Sequence, residues 1–275
     1  MRHRNGVAGR KRLQAWAFGL LFSLLLFSGC QENEESKSAA SAPERISAEL
    51  SLRESIHFSD EWLSEIALTQ TDDDGTIQDP DHPHLLVNDD HVLEAAYEPE
   101  DLTVPDVRFS FSEALDRRLM RDMAASALEQ LFESAQEAGY ELFAISGFRS
   151  YERQEQLFTA YAEEHGEDAA REILAIPGGS EHQSGLAMDV SSASNGFLLN
   201  QDFAGTDEGE WLLEHAHEHG FIIRYPEGKE EITGISFEPW HIRYIGEEIA
   251  EKLYHSGLVL EELIEKARDH QEDPD

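Results

Sequence analysis

The chain has 275 residues, 40% of them hydrophobic, which is material for one core of about 150–200 residues plus extensions. Acidic residues number 57 against 21 basic ones, and the formal net charge of −36 excludes nucleic acid as a partner, because phosphate binding needs clustered Lys and Arg. A single cysteine, Cys30, excludes an intramolecular disulfide and a thiolate metal cluster.

The N-terminus carries Arg2, Arg4, Arg10, Lys11 and Arg12 with no acid, then an apolar run from Ala15 to Phe27, then Ser28-Gly29-Cys30. A charged start, a short apolar stretch and small residues form a signal peptide over 1–29, and the run is too short to span a bilayer. Ser-Gly-Cys resembles a bacterial lipobox, with Phe27 where Leu is usual. In that motif the cysteine is diacylated and becomes the new N-terminus. The alternatives are an uncleaved anchor or a plain secretory peptide, and each places the rest outside the cytoplasm. The expectation is a monomer, extracytoplasmic and lipid-anchored through Cys30 to the outer face of a bacterial cell membrane. Loss of residues 1–29 removes five positive charges and no acid, so −36 becomes −41. Anionic headgroups repel such a chain, which gives a lipid anchor a task. The acidity reads as a solvated surface, the alternative being a face that docks a cationic partner.

Residues 30–83 are polar and acidic with few large apolar groups and read as a flexible tether, with a helical stretch over 44–55. Within it Asp72, Asp73 and Asp74 suggest a calcium loop, but Pro83 stands where the closing acid belongs. A folded domain is expected over 84–268, followed by an acidic tail, 269–275. Ser112 is placed as the cap of a long amphipathic helix reaching Ala138, with Leu115, Leu119, Met123, Leu128, Leu131 and Ala135 on its buried face and Gly139 as its stop. A buried strand spans 141–146, then helices 151–165 and 167–175, a strand 186–191, a helix from a Thr206 cap to His219, a strand 221–225, short strands 235–237 and 241–245, and helices 246–256 and 258–268. Short strands among helices, with hairpin-like links near the end, make the fold class α+β.

The chemistry gathers on three turn-rich segments. Gly178-Gly179 precedes Ser180-Glu181-His182, Asp189 ends a strand-like alternation, and Glu238-Pro239-Trp240-His241 follows later. A hydrolytic zinc site takes three protein ligands and keeps a fourth position open. His182, Asp189 and His241 would supply two imidazoles and one anion, and Glu238 would be the general base. His182 and Asp189 pairing or capping within a loop fits the spacing equally well. A competing pair, His215 and His219, stands at helical i, i+4 spacing, but no glutamate follows His215 directly, and solvated or half-buried histidines are the favoured reading.

These residues carry a resemblance. The run Ser180-Glu181-His182-Gln183-Ser184-Gly185-Leu186-Ala187-Met188-Asp189 resembles the Ser-x-His-x-x-Gly-x-Ala-x-Asp motif of VanY-type zinc D-alanyl-D-alanine carboxypeptidases. Glu238-Pro239-Trp240-His241 resembles their Glu-x-Trp-His motif, and Ser146-Gly147-Phe148-Arg149-Ser150 their Ser-Gly-Phe-Arg-Ser segment, continued by Tyr151, Gln154, Leu157 and Phe158. Leu86-Val87-Asn88 and Tyr97-x-Pro99-x-Asp101-Leu102 add a further match, so the likeness covers about 84–265 in order. It implies a hedgehog/DD-peptidase-like fold, a small antiparallel sheet with flanking helices. It implies Zn2+ on His182, Asp189 and His241, Glu238 as base and Arg149 as oxyanion stabiliser. Ser180 and Gln154 would hold the terminal carboxylate, helped by Arg149 or Tyr151, and Trp240 would be a pocket wall or core. The implied substrates are peptidoglycan stem peptides, losing their C-terminal D-alanine from a D-Ala-D-Ala or an L,D-tetrapeptide bond. The alternatives are a catalytically weak cell-wall-binding or sensing lipoprotein and a peptidoglycan endopeptidase.

Overall fold

A computed structural model describes residues 58–272. The signal-like segment, Cys30, the 44–55 helix and residues 273–275 lie outside the described residues. Eight α-helices are found within them: α1 (Asp60–Glu65), α2 (Asp122–Ala138), α3 (Tyr151–His165), α4 (Glu167–Arg171), α5 (Asp207–His215), α6 (Glu230–Thr233), α7 (Glu247–Ser256) and α8 (Leu260–Glu272). Strands β1 (Leu102–Thr103) and β2 (Met120–Arg121) pair with each other. Strands β3 (Leu142–Ser146), β4 (Ala187–Ser192), β5 (Phe221–Tyr225) and β6 (Glu238–Tyr244) form an antiparallel sheet in the order β3-β4-β6-β5. The arrangement is α+β. The two late strands expected from sequence are one, β6.

Helix α2 covers the sheet through Ala124, Ala125, Leu128, Leu131 and Ala135, packed with Ala144, Met188, Val190, Phe221 and Ile242. The alanines let the helix lie close to the strands, and Leu128, fully buried, fills the space between. The helix starts at Asp122, not Ser112, and Leu115 is 47% exposed. Residues 112–121 have another use for their backbone. Arg117 O accepts from Gly147 N at 2.7 Å, Leu119 O accepts from Phe148 N at 2.7 Å, and Arg121 N donates to Gly185 O at 2.8 Å. Those bonds brace the loops of the site and replace the helical ones.

The folded region also begins earlier than the tether boundary at 83. Ser59 caps α1, whose Leu63, with Ile66 just beyond, is buried against α7 and α8 with Leu253, Leu260, Leu263 and Ile264. Gln271 Nε2 donates to Leu63 O at 3.0 Å and to Ile66 O at 3.1 Å, so residues 269–272 belong to helix α8 as well. Residues 71–82 are ordered as a tight turn: Asp72 Oδ1 accepts from Asp74 N at 3.0 Å and from Thr76 N at 2.9 Å, and Ile77 is buried with Leu85, Val87 and Leu93. The aspartate that suggested a calcium loop is a turn former.

Candidate metal centre

Strand register builds the first contact. Asp189 of β4 stands directly across from His241 of β6, and cross-strand neighbours project to the same face. Asp189 Oδ1 lies 3.1 Å from His241 Nδ1, and Asp189 Oδ2 lies 3.4 Å from His182 Nε2. His182 comes from a single 3₁₀ turn, Glu181–Ser184, placed by the glycines before it. Gly178 has φ +88, and a Cβ there would sit 2.8 Å from Leu93 O, so only glycine gives the bend and the approach. All three side chains are buried.

Register irregularities flank the pair. Between Ile223 and Tyr225 the β5–β6 pairing shifts, and Glu238 comes round to 3.9 Å from His241 Nδ1. Strict alternation would have pointed it to the opposite face. A second shift, between Ala144 and Ser146, turns β3 out toward Gly147 and Arg149. A Cβ on Gly147 would collide with the backbone carbonyl oxygen of Leu119, so this residue has to be glycine for the loop to reach His182. Gly147 O then accepts from His182 Nδ1 at 2.8 Å. A carbonyl only accepts, so Nδ1 carries the proton and Nε2 presents its lone pair beside Asp189.

His241 is fixed from its other side. Its Nε2 meets Glu181 Oε2 at 3.3 Å, so Nε2–H donates and Nδ1 faces Asp189 and Glu238. Burial disfavours charge on this ring, but the bonds to Asp189 and Glu181 outweigh it and raise its pKa to about 9. Burial likewise pushes Glu238 up to about 7, with Asp189 adding and with His241 and Arg149 opposing. Asp189 is held well below the usual carboxylate range: burial alone would raise it, and the two histidines overcome that.

Among the described residues, His182, Asp189 and His241 are the group whose ligand atoms, within 4.8 Å of one another, could hold a metal ion. Tetrahedral ligands at about 2.1 Å from an ion stand about 3.4 Å apart, and the Asp189 contacts, 3.4 Å to His182 from one oxygen and 3.1 Å to His241 from the other, lie near that spacing. The donor set, one carboxylate and two imidazoles that each turn one ring nitrogen toward Asp189, suits zinc. His215 and His219 do not join such a group. Helix α5 ends at His215 and a 3₁₀ turn follows, so their helical spacing is lost, and His215 Nδ1 meets Glu218 Oε1 at 3.2 Å.

The centre opens into a cleft of about 200 Å³ lined by Arg149, Gln154, Ser180, His182, Asp189, Glu238 and His241, with Leu174, Leu199, Ile235 and Trp240 among its apolar walls. Arg149 Nη2 stands 3.9 Å from Asp189 Oδ2, and Nη1 donates to Gln154 Oε1 at 2.9 Å. Gln154 Nε2 donates to Ala175 O at 2.6 Å, which spends the amide on holding the guanidinium and the 175 loop. Trp240 serves both expected roles, as cleft wall and as packing against the core. Tyr151 does not line the cleft; its ring faces Gly178.

Sequence reasoning missed a buried ion cluster beside the centre. Glu181 Oε1 accepts from Arg224 Nε at 2.8 Å and from Arg243 Nη1 at 2.5 Å. Arg224 grips Glu261 of α8 through both terminal nitrogens, and Arg243 Nη2 donates to Pro83 O and Leu85 O. Both arginines are at most 1% exposed. A visible signal existed: Glu181 adjoins a ligand histidine, and Arg243 shares the alternation of His241 in β6.

A sheet that pairs Asp189 with His241, with a buried glutamate and a guanidinium at the same cleft, defines a metallopeptidase-type enzyme scaffold. The family profile described as VanY, D-alanyl-D-alanine carboxypeptidase, matches residues 117–247. The chain is 49% identical over 193 residues to the Bacillus subtilis protein YodJ, named a carboxypeptidase by inference, covering 70% of this chain and 71% of that one. It is similar to the solved LdcB LD-carboxypeptidase at 47% identity and TM-score 0.70, covering 74% of this chain and 95% of that one. It is also similar to a mutant of the D,D-pentapeptidase VanY solved with Zn(II), at 34% identity and TM-score 0.55, covering 66% and 98%. The chain belongs to the VanY-type D-alanyl-D-alanine carboxypeptidase family.

Proposed function

We propose that the chain is a zinc-dependent carboxypeptidase that removes C-terminal D-alanine from peptidoglycan stem peptides. The observation that carries this reading is the joint placement of His182, Asp189 and His241 with Glu238 3.9 Å from His241. Bound there, zinc would supply Lewis acidity to a water molecule and to the scissile carbonyl. The chain's own residues do the remainder. Glu238 takes the proton from the attacking water and delivers it to the leaving amine. A carboxyl whose pKa lies near 7 suits both transfers, since it can accept and then release the proton near neutral pH. Arg149, charged at every working pH and aimed by Gln154, takes the negative charge that develops on the carbonyl oxygen. Ser180, 4% exposed on the cleft wall, binds the terminal carboxylate and so enforces release of one residue, while Gln154, its amide spent on Arg149 and Ala175, keeps the guanidinium aimed into the cleft.

Mass spectrometry of penta- and tetrapeptide muropeptides incubated with the zinc-loaded protein tests this. Loss of a single C-terminal D-alanine is the expected product. Cleavage inside a crosslink with no D-alanine released, or binding without turnover, would overturn it. The N-terminal segment supports a second, separate reading, that Cys30 anchors the enzyme to the outer face of the cell membrane. Mass spectrometry of the membrane-bound protein should find diacylated Cys30 as its first residue, and a chain that begins elsewhere or carries no acyl chains would refute the lipid anchor.

A further inference from the structure

Along strand β5 lies a cavity of about 390 Å³, larger than the cleft at about 200 Å³. Four successive residues of β5, Phe221 to Arg224, line it. Side chains of a strand alternate between faces, so four in a row mean that the edge of the strand borders the cavity. That edge is open: β5 is an outer strand of the sheet and pairs with β6 alone among the described residues. The register says which groups the edge presents. Tyr244 N donates to Leu186 O, toward β4, and Ile245 N donates to Gly220 O. Phe221, opposite Tyr244, and Ile223, opposite Ile242, are therefore the non-bonded positions of the ladder, and their N–H and C=O groups turn away from β6. No other bond occupies these groups among the described residues. Phe221 is fully buried, where an unpaired main-chain group is costly.

A side chain adds to this. His217, 8% exposed, lines the cavity, and its Nδ1 is buried with no hydrogen-bond partner among the described residues. Its ring lies flat on that of Tyr254, 3.7 Å between centroids and 4° between planes. Tyr254, 39% exposed, lines the cavity too. The cations of the lining are already neutralised, Arg224 by Glu181 and Glu261 and Lys229 by Glu262 at 2.7 Å. A phosphate or carboxylate ligand finds no free positive charge here. On offer are apolar walls from Ile222, Leu253 and Val259, an aromatic pair, and main-chain donors and acceptors side by side.

We infer that this cavity binds a neutral N-acetylated amino sugar of a glycan chain. An acetamide carries one N–H and one C=O, the complement of what Phe221 or Ile223 presents. Its methyl group takes the apolar wall, the apolar face of the pyranose ring packs on the aromatic pair, and a hydroxyl bonds the unpartnered nitrogen of His217. An extended peptide also seeks a free strand edge. This edge is short for one, because the register shift before Tyr225 and then Pro226 end it after Phe221 and Ile223. The inference rests on the proposed function for the source of the sugar, the glycan strand of peptidoglycan. Arg224 and Phe237 line the cavity while their chain neighbours Tyr225 and Glu238 line the cleft, so the two are next to each other. A strand held along β5 keeps its own stem peptides close to the metal centre.

The test uses the full zinc-loaded chain, N,N′-diacetylchitobiose as probe and cellobiose as the control that lacks both acetamides. Titration followed by NMR should give a Kd of about 1 mM for the acetylated disaccharide and binding at least about tenfold weaker for cellobiose. Tyr254→Ala removes the exposed ring, and His217→Phe keeps the stack without the ring nitrogens. Each should weaken sugar binding about fivefold, while kcat/KM for D-alanine release from an acetylated tetrapeptide stays within about twofold. Equal affinity for the two sugars, no saturation by either, or binding that neither variant weakens would overturn the site. Binding of an acetylated, amidated tetrapeptide of alternating valine and threonine, lost in Tyr254→Ala and without any sugar binding, would make the edge a strand-addition site and overturn it too. D-Alanine release is read in the same samples. Sugar binding without release removes the hydrolase reading and leaves the site, whereas release without sugar binding removes the site alone.

Discussion

Two clusters of buried charge share His241 and differ in how completely their members are satisfied. In the metal centre, Asp189 and the Nε2 of His182 point at each other across 3.4 Å, and among the described residues the Glu238 carboxylate has no bond closer than its 3.9 Å approach to His241. Next to it, Glu181, Arg224, Arg243 and Glu261 have short partners on nearly every donor and acceptor. A carboxylate and two imidazoles converging on one point describe a donor set that a cation would fit. Closed pairing describes a scaffold. Burial in both is near total, so burial alone does not mark function; residual valence does.

The comparison breaks most visibly at Glu238. Glu238→Ala should lower turnover by about 10²–10⁴-fold, as for loss of a general base, while the protein keeps its zinc in metal analysis after dialysis. His182→Ala should do the reverse in kind, losing the metal first and activity with it. Zinc leaving with Glu238 would make that residue a ligand and redraw the centre.

At Glu181 the scaffold itself is at stake. Glu181→Leu would leave two buried guanidinium groups facing an apolar side chain, and destabilisation of about 3–5 kcal/mol is expected in urea unfolding of the metal-free protein. Metal affinity should fall as well, by about 10–100-fold, since the bond that orients His241 is gone. Unaltered unfolding midpoints would mean that Arg224 and Arg243 find water when Glu181 is absent, and that the cluster is less closed than its geometry indicates.

Much of this was legible in the sequence, and the rest was hidden for physical reasons. The ligands and Glu238 could be named because they stand in short motifs that resemble those of the family, although Asp189, Glu238 and His241 lie in strands β4 and β6. The strands β3, β4 and β5 were readable from apolar runs between glycines. Helix α1 was not, because Trp62, Leu63 and Ile66 form one small apolar face among acids, and nothing local says that α8 will cover it. The start of α2 was misplaced because Leu115 and Leu119 keep a helical spacing while their backbone bonds serve Gly147 and Phe148. Glu181 escaped because its partners lie 43 and 62 residues away and are joined only by the β5–β6 pairing.

Proton competition gives the centre a pH signature of moderate size. In the metal-free protein the bonds to Asp189 and Glu181 hold the proton on His241 up to about pH 9. Zinc must displace that proton, so affinity should rise about tenfold per pH unit between 7 and 9 and flatten above, with one proton released per zinc bound. Titration calorimetry in buffers of different ionisation enthalpy measures that release. A flat affinity across this range would mean that His241 is already neutral in the metal-free protein, with no proton on the Nδ1 that faces Asp189.

The smallest expected effect lies at the outer end of the scaffold. Glu261 is 14% exposed and holds only the terminal nitrogens of Arg224, whose Nε stays on Glu181. Glu261→Gln keeps one oxygen acceptor and removes the charge, so a loss of about 1–2 kcal/mol is expected. Zinc affinity and its pH dependence should not move, because Glu181 retains Arg243 and its bond to His241. This substitution separates the two clusters more sharply than the larger ones, which disturb both at once. If zinc binding weakened in parallel with stability, the closed cluster would be setting the electrostatics of the open one through Arg224, and the division between scaffold and site would have to be moved outward to α8.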